Sequence, residues 1–252
     1  MKALLMLPLL ALWLGSAPAH ADGLADLKAA LVRGAALTPL KATAETRLWR
    51  KLGEGKDAEE VNGQAGIAIE DSARGLSGTH SREQLARVER ELQAKAKNPN
   101  SKTPTLAALG EFGPGELAAM VSAAAPLQRI LERAEYKGER PESWQGTPAR
   151  LLSFEMPLST LSERERKYAK KFLAVFEVWI GADGRPLASR MKQTVSGRAF
   201  VVVSFDSVLE EDKVYGVAGE RLLTLRHEER SSASGMGERD ERKVLTTLQL
   251  LP

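Results

Sequence analysis

Two histidines, His80 and His227, stand beyond the first twenty-one residues of this chain, and no cysteine stands anywhere. A metal centre draws on several His, Cys or carboxylate ligands held close together. His227 is followed by Glu228 and Glu229, but no second histidine completes an H-E-x-x-H pattern. It reads as a solvated strand histidine, and His80 as a surface or capping residue just ahead of a helix start. No metal and no cofactor is expected. Nucleophilic catalysis has as little to work with: there is no G-x-S-x-G and no S-x-x-K in a suitable setting. Ser101 with Lys102, and Ser196 with Gly197, read as loop residues. The glycine-rich GEFGPGE lacks the Lys-Ser/Thr ending of a phosphate loop and reads as a helix entry. The acidic groups Glu70-Asp71, Glu210-Glu211-Asp212 and Asp240-Glu241 fall where turns are expected. A glycosidase pair need not be adjacent in sequence. A hydrolase with unrecognised carboxylates is therefore kept as a third reading, with no catalytic residue assigned.

The chain opens MKALLMLPLLALWLGSAPAHA. One lysine, an apolar run to Leu14 and Ala19-His20-Ala21 make residues 1–21 a secretory signal peptide, too short for an ordinary membrane span. Without cysteine there is no lipid attachment at the cleavage site, so no stable membrane anchor is expected. Removing 21 of 252 residues leaves 231, read as a single α+β domain over residues 22–252. An exported chain without cysteine suggests a bacterial periplasm. Loss of one lysine from a net charge of +3 leaves +2. That balance, with 5% aromatic residues, speaks against nucleic acid as a partner.

The elements that would position any site follow from periodicity. Asp22 can cap a helix whose Leu24, Leu27 and Leu31 form one stripe. LKATAETRLWRKL alternates as a strand, and GQAGIAIEDS reads as another. Ser81 and Gln84 have capping-box spacing, so residues 81–97 form an amphipathic helix with Leu85, Val88 and Leu92 on one face. Residues 98–105 are a loop, the most mobile segment expected; whether it gates a cavity is left open. A second helical region runs over residues 116–135, broken after Ala124 by Pro126. Together these make a helical insertion around residues 81–135. A strand at residues 150–156 and a charged connector, STLSERERKYAKKF, lead to a meander from Phe172 onward. Turns are expected at residues 181–186, near Gly197, and at residues 210–213, 218–220 and 231–238.

FLAVFEVWI, residues 172–180, is apolar on both faces, although antiparallel strands normally keep one face wet. AFVVVSF repeats this in part. Cover on both sides suggests a strongly curved antiparallel sheet, an incomplete barrel closed by helices, with an apolar cavity between the layers. Candidate lining residues are Phe172, Phe176, Val178, Val201, Val203, Phe205, Leu117, Met120 and Leu127; the same residues could form a plain core.

The order of signal peptide, amphipathic helix, strands from LKATAETRLWRKL, helical insertion and a meander containing FEVWIGADGRPLASRMK resembles the periplasmic lipoprotein-carrier superfamily. That group comprises the LolA/LolB-like half-barrels and the related sigma-regulator RseB. The resemblance is one of layout, and no arginine is matched to the family's key position. It implies a bent sheet whose apolar side receives acyl chains. Burying acyl chain contributes about 0.8 kcal/mol per methylene, so an apolar lining would be enough. The leading expectation is a non-enzymatic periplasmic protein holding lipid or a lipidated partner. The alternative is an envelope protein-interaction or regulatory module with a filled core and an exposed apolar patch.

Overall fold

The computed structural model describes residues 22–199, 203–235 and 237–251. The proposed signal peptide and Val201 lie outside them. The chain runs α1 (Gly23–Gly34), β1 (Leu40–Leu52), β2 (Glu59–Ser72), β3 (Gly75–Thr79), α2 (Arg82–Lys97), α3 (Pro104–Leu109), α4 (Pro114–Val121), α5 (Ala124–Arg133), β4 (Glu135–Trp144), β5 (Thr147–Glu155), α6 (Glu163–Tyr168) and β6 (Ala169–Ile180). It closes with β7 (Pro186–Ala199), β8 (Val203–Ala218), β9 (Arg221–Gly235) and β10 (Glu238–Leu250).

The ten strands form a single antiparallel sheet in the order β3-β2-β1-β10-β9-β8-β7-β6-β5-β4. Two meanders, β1–β3 and β4–β10, are joined by pairing of β1 with β10, from Ala42 opposite Leu250 to Leu52 opposite Asp240. That one seam places β3 and β4 at opposite edges. The segment between them, α2 to α5, therefore has to travel about 43 Å, nine strand spacings. It does so in steps: α3 rests on β2 and β1, α4 on β9, and α5 against α1.

The expected incomplete barrel is not formed: the sheet is open and not strongly curled. Its edges also discourage closure. β3 has five residues, while β4 carries Pro141 and a register shift between Tyr136 and Gly138. Both are features that blunt an edge. Where β3 ends, the Gln84 side chain takes over the pairing of Gly66. Gly66 N donates to Gln84 Oε1 at 2.7 Å, and Gln84 Nε2 donates to Gly66 O at 2.9 Å. Gly63 allows α3 to lie on β2, since a Cβ there would meet Pro104 O at 2.2 Å.

Local expectations hold where periodicity is strong. Asp22 caps α1 by accepting from Leu24 N and Ala25 N, and Leu27 and Leu31 are wholly buried. The helical region does divide into two short helices, but the break precedes Ala124 rather than following it: α4 ends at Val121, α5 starts at Ala124, and Pro126 sits in its first turn, where a missing N–H costs little. The turn at residues 181–186 rests on Gly184, whose φ of +78° suits glycine. The turn expected near Gly197 falls just beyond it, since β7 ends at Ala199 and β8 begins at Val203 with Ala199 opposite Val203, whereas the turn expected at residues 210–213 is instead the middle of β8. The reversal expected over residues 231–238 is short, because β9 continues to Gly235 and β10 starts at Glu238.

Candidate functional site

Strand register decides which side chains meet on the helix-covered face. One row across the sheet reads Ala65, Thr46, Thr246, His227, Lys213, Ser189, Val178 and Leu152. The next reads Leu48, Val244, Glu229, Glu211, Met191, Phe176 and Phe154. Both rows are apolar at the ends and charged in the middle. The covered face is thus two apolar floors separated by a polar strip on β8 and β9.

The flanking floors are filled. Under α1 and α5, Phe176, Val178 and Leu127 pack with Leu27, Leu31 and Phe154, and each is at most 2% exposed. Phe154 stands 6.1 Å from Phe176, ring centre to ring centre. Leu117 and Met120 of α4 belong to a different cluster, with Leu48, Ile67 and Val244. The candidate lining residues therefore do not surround one shared space. Phe172 and Phe205 are half-buried, and Val203 lies in β8 with its side chain outside the described set.

The second apolar face of β6 also has a local explanation. Trp179 is covered by Trp144, with ring centres 5.0 Å apart, by the Arg190 guanidinium at 5.7 Å, and by Leu151 and Ala188. Leu173, on the same face, is 62% exposed. The oil on that side is thus one indole patch, a half-buried Val175 and an open position.

The polar strip is the part that sequence reading missed. Glu211 lies 2.7 Å from Lys213 Nζ and 2.8 Å from His227 Nε2. The His227 contact is close but not aligned as a hydrogen bond. Burial pushes the Glu211 carboxyl up, yet the His227 and Lys213 contacts more than reverse this and bring it down to about 2. Burial likewise opposes the Lys213 charge, but Glu211, Tyr215 and Glu116 hold its ammonium above the ordinary range. Burial raises the Tyr215 hydroxyl, which shares a 2.7 Å hydrogen bond with Ser189. Arg242 bridges Glu229 and Glu111 and lines, with His227, Glu116 and Met120, a cavity of about 140 Å³. At neutral pH Glu211 is an ionised member of a salt bridge, so it is no proton donor. Among the described residues no cluster of three or more His, Cys, Asp or Glu is placed to hold a metal. His227 is therefore not the solvated histidine expected. The missed signal is the period-two spacing of Leu209, Glu211, Lys213 and Tyr215, hidden because charged runs resemble turns. His80 fits its expected place: it precedes the cap Ser81, with Nδ1 3.1 Å from Gln84 Nε2.

Arg221, not singled out by sequence, is 1% exposed and joins three elements. Its guanidinium donates to Val121 O at the end of α4, to Thr38 O ahead of β1, and to Asp71 of β2.

At the sheet edge the situation is the reverse of the filled floors. α2 has no buried residue, and Leu85 and Leu92 on its apolar stripe are 51% and 47% exposed. Leu106 of the adjoining α3 is also exposed. The helix is nonetheless held firmly. Gln84 binds the β2 edge, and the Glu91 carboxylate accepts from Thr105 N and Leu106 N at the start of α3. The following loop is tied by Lys102 Nζ, which donates to Glu60 O at 2.5 Å.

The chain matches no protein-family model, no curated protein and no solved structure. Among the described residues no helix is long and apolar enough to cross a membrane.

Proposed function

We propose that this is an exported, non-enzymatic interaction module of the bacterial envelope, which docks a protein partner through the apolar stripe of α2. The observation that carries this reading is the contrast in exposure: Leu85 and Leu92 lie open on a helix fixed by polar bonds, while Phe176, Val178 and Leu127 are closed. A fixed helix with an uncovered apolar stripe has already met its ordering cost, which favours association. Export to the periplasm rests on the signal-like residues 1–21. The non-enzymatic part of the reading draws on the lack of a recognisable nucleophile motif in the sequence and on the engagement of Glu211 by Lys213.

A second reading, the holding of an acyl chain as in the lipoprotein-carrier superfamily, draws on one region. Phe172, Met191, Leu209 and Phe205 share the helix-side face beyond the filled floor and are all half-buried. A chain laid there would need no motif.

Photocrosslinking separates the two. A photoreactive residue at Leu85 or Leu92 should give one discrete protein adduct in envelope preparations, absent when the probe replaces exposed Thr194. Equal labelling from all three positions would defeat the α2 reading, and lipid adducts from a probe at Leu209 would favour the acyl-chain one.

A further inference from the structure

On the sheet face away from the helices, two rows of β2, β1 and β10 form a compact block. Gln64, Arg47 and Leu245 make one row, and Asn62, Trp49 and Lys243 the next. These six side chains border an open depression of about 410 Å³. Trp49 leans toward Glu60, to which its Nε1 donates at 2.7 Å. The Lys243 ammonium stands 4.9 Å from the indole centre.

The charges here differ from those in the middle of β7, β8 and β9 on this face. Arg190 pairs with Asp212, Lys192 with Glu210, and Arg226 and Arg230 both with Glu228. Glu228, at the margin of the depression, is thereby engaged. The Arg47 side chain has no hydrogen bond or ion pair with any described residue, and the Lys243 side chain has only its indole contact. The Gln64 amide has no hydrogen-bonding partner among the described residues either. Asn62 Nδ2 donates to the same Glu60 oxygen as Trp49, at 3.0 Å, which leaves its amide oxygen to accept. Two unpaired cations, the Gln64 amide, that Asn62 oxygen and an apolar plate are thus gathered in one shallow site.

We infer that this depression binds an acidic saccharide. A bare phosphate or carboxylate would use the cations and leave the indole and Leu245 idle, and an alkyl chain would do the opposite. A sugar ring bearing a carboxylate uses every part. Its C–H face lies against Trp49 and Leu245, its hydroxyls exchange hydrogen bonds with Asn62 and Gln64, and its carboxylate sits between Arg47 and Lys243. The open shape suits an extended oligosaccharide, whose ends would overhang the sheet. The site shares no residue with the α2 stripe and does not depend on its role.

Titration with tetragalacturonate, followed by calorimetry and tryptophan fluorescence, tests this. Binding is expected, weakened about tenfold or more by Arg47→Gln or Lys243→Gln, and to a similar extent when the sugar's carboxylates are methyl-esterified. Trp49→Phe should weaken binding while leaving the thermal midpoint near that of the parent protein, which separates recognition from folding. The inference is overturned if tetragalacturonate does not bind, or if neither charge substitution weakens it. It is equally overturned if hexaglutamate or inorganic phosphate binds as tightly, since the site would then read charge alone.

Discussion

α5 and α2 are both short amphipathic helices inserted between β3 and β4, yet the fold treats them in opposite ways. The stripe of α5, Leu127 and Leu131, is buried against α1 and the β5–β6 floor. The stripe of α2, Leu85 and Leu92, is about half exposed, and its anchorage comes from Gln84 and Glu91. Periodicity reports that a helix has an apolar side; only tertiary placement says whether the protein itself covers it. Here α5 lies with α1 over β5 and β6, while α2 runs at the outer edge of the other meander, where little sheet remains to lie on.

Substitutions should separate the two helices, and the largest effect belongs to α5. Leu127→Ala is expected to cost about 2–5 kcal/mol in urea unfolding, because the residue is 1% exposed and its neighbours cannot close the gap fully. A loss below that range would mean a loosely filled floor.

Between these helices α4 lies over charge, and acid should expose that difference. The Glu211 carboxyl is held at about 2, below its ordinary 4.5. Its contribution is thus present above pH 4.5 and fades as pH falls toward 2, by about 3 kcal/mol in all. Glu211→Gln should remove that part of the acid dependence, seen as a shallower fall of stability from pH 5 to pH 2. An unchanged slope would place the acid sensitivity elsewhere.

Smaller effects belong to α2. Gln84→Ala should cost about 1 kcal/mol and speed hydrogen exchange at the Gly66 amide, whose edge bond it removes. Leu85→Ser with Leu92→Ser should shift stability by no more than about 0.5 kcal/mol, since neither side chain is buried. A substantial loss from that pair would mean that α2 is part of the core after all.

Much of this was readable from residue order alone, and the exceptions share a cause. β1 was legible because Leu40, Ala42, Ala44 and Leu48 alternate with polar neighbours, and the α4–α5 break because proline excludes itself from helix interiors. β4 was missed, since EYKGERPESW has the proline and charge of an edge strand, which is also the composition of a loop. The charged middle of β8 was read as a turn for the same reason. The openness of the sheet was not legible because it depends on the β1–β10 seam, a pairing across the whole chain. The apolar residues of β6 were found, but their spacing could not say that helices α1 and α5 would fill the room beside them.

The proposed reading is that the protein fills the floors under α1, α5 and α4 with its own side chains and leaves α2 for a protein partner. Native mass spectrometry of the chain purified from bacterial envelope, with and without prior organic extraction, tests it most directly. The polypeptide, alone or with a protein partner, is expected in both samples without any lipid-sized addition. A lipid-sized addition that disappears on extraction would contradict it.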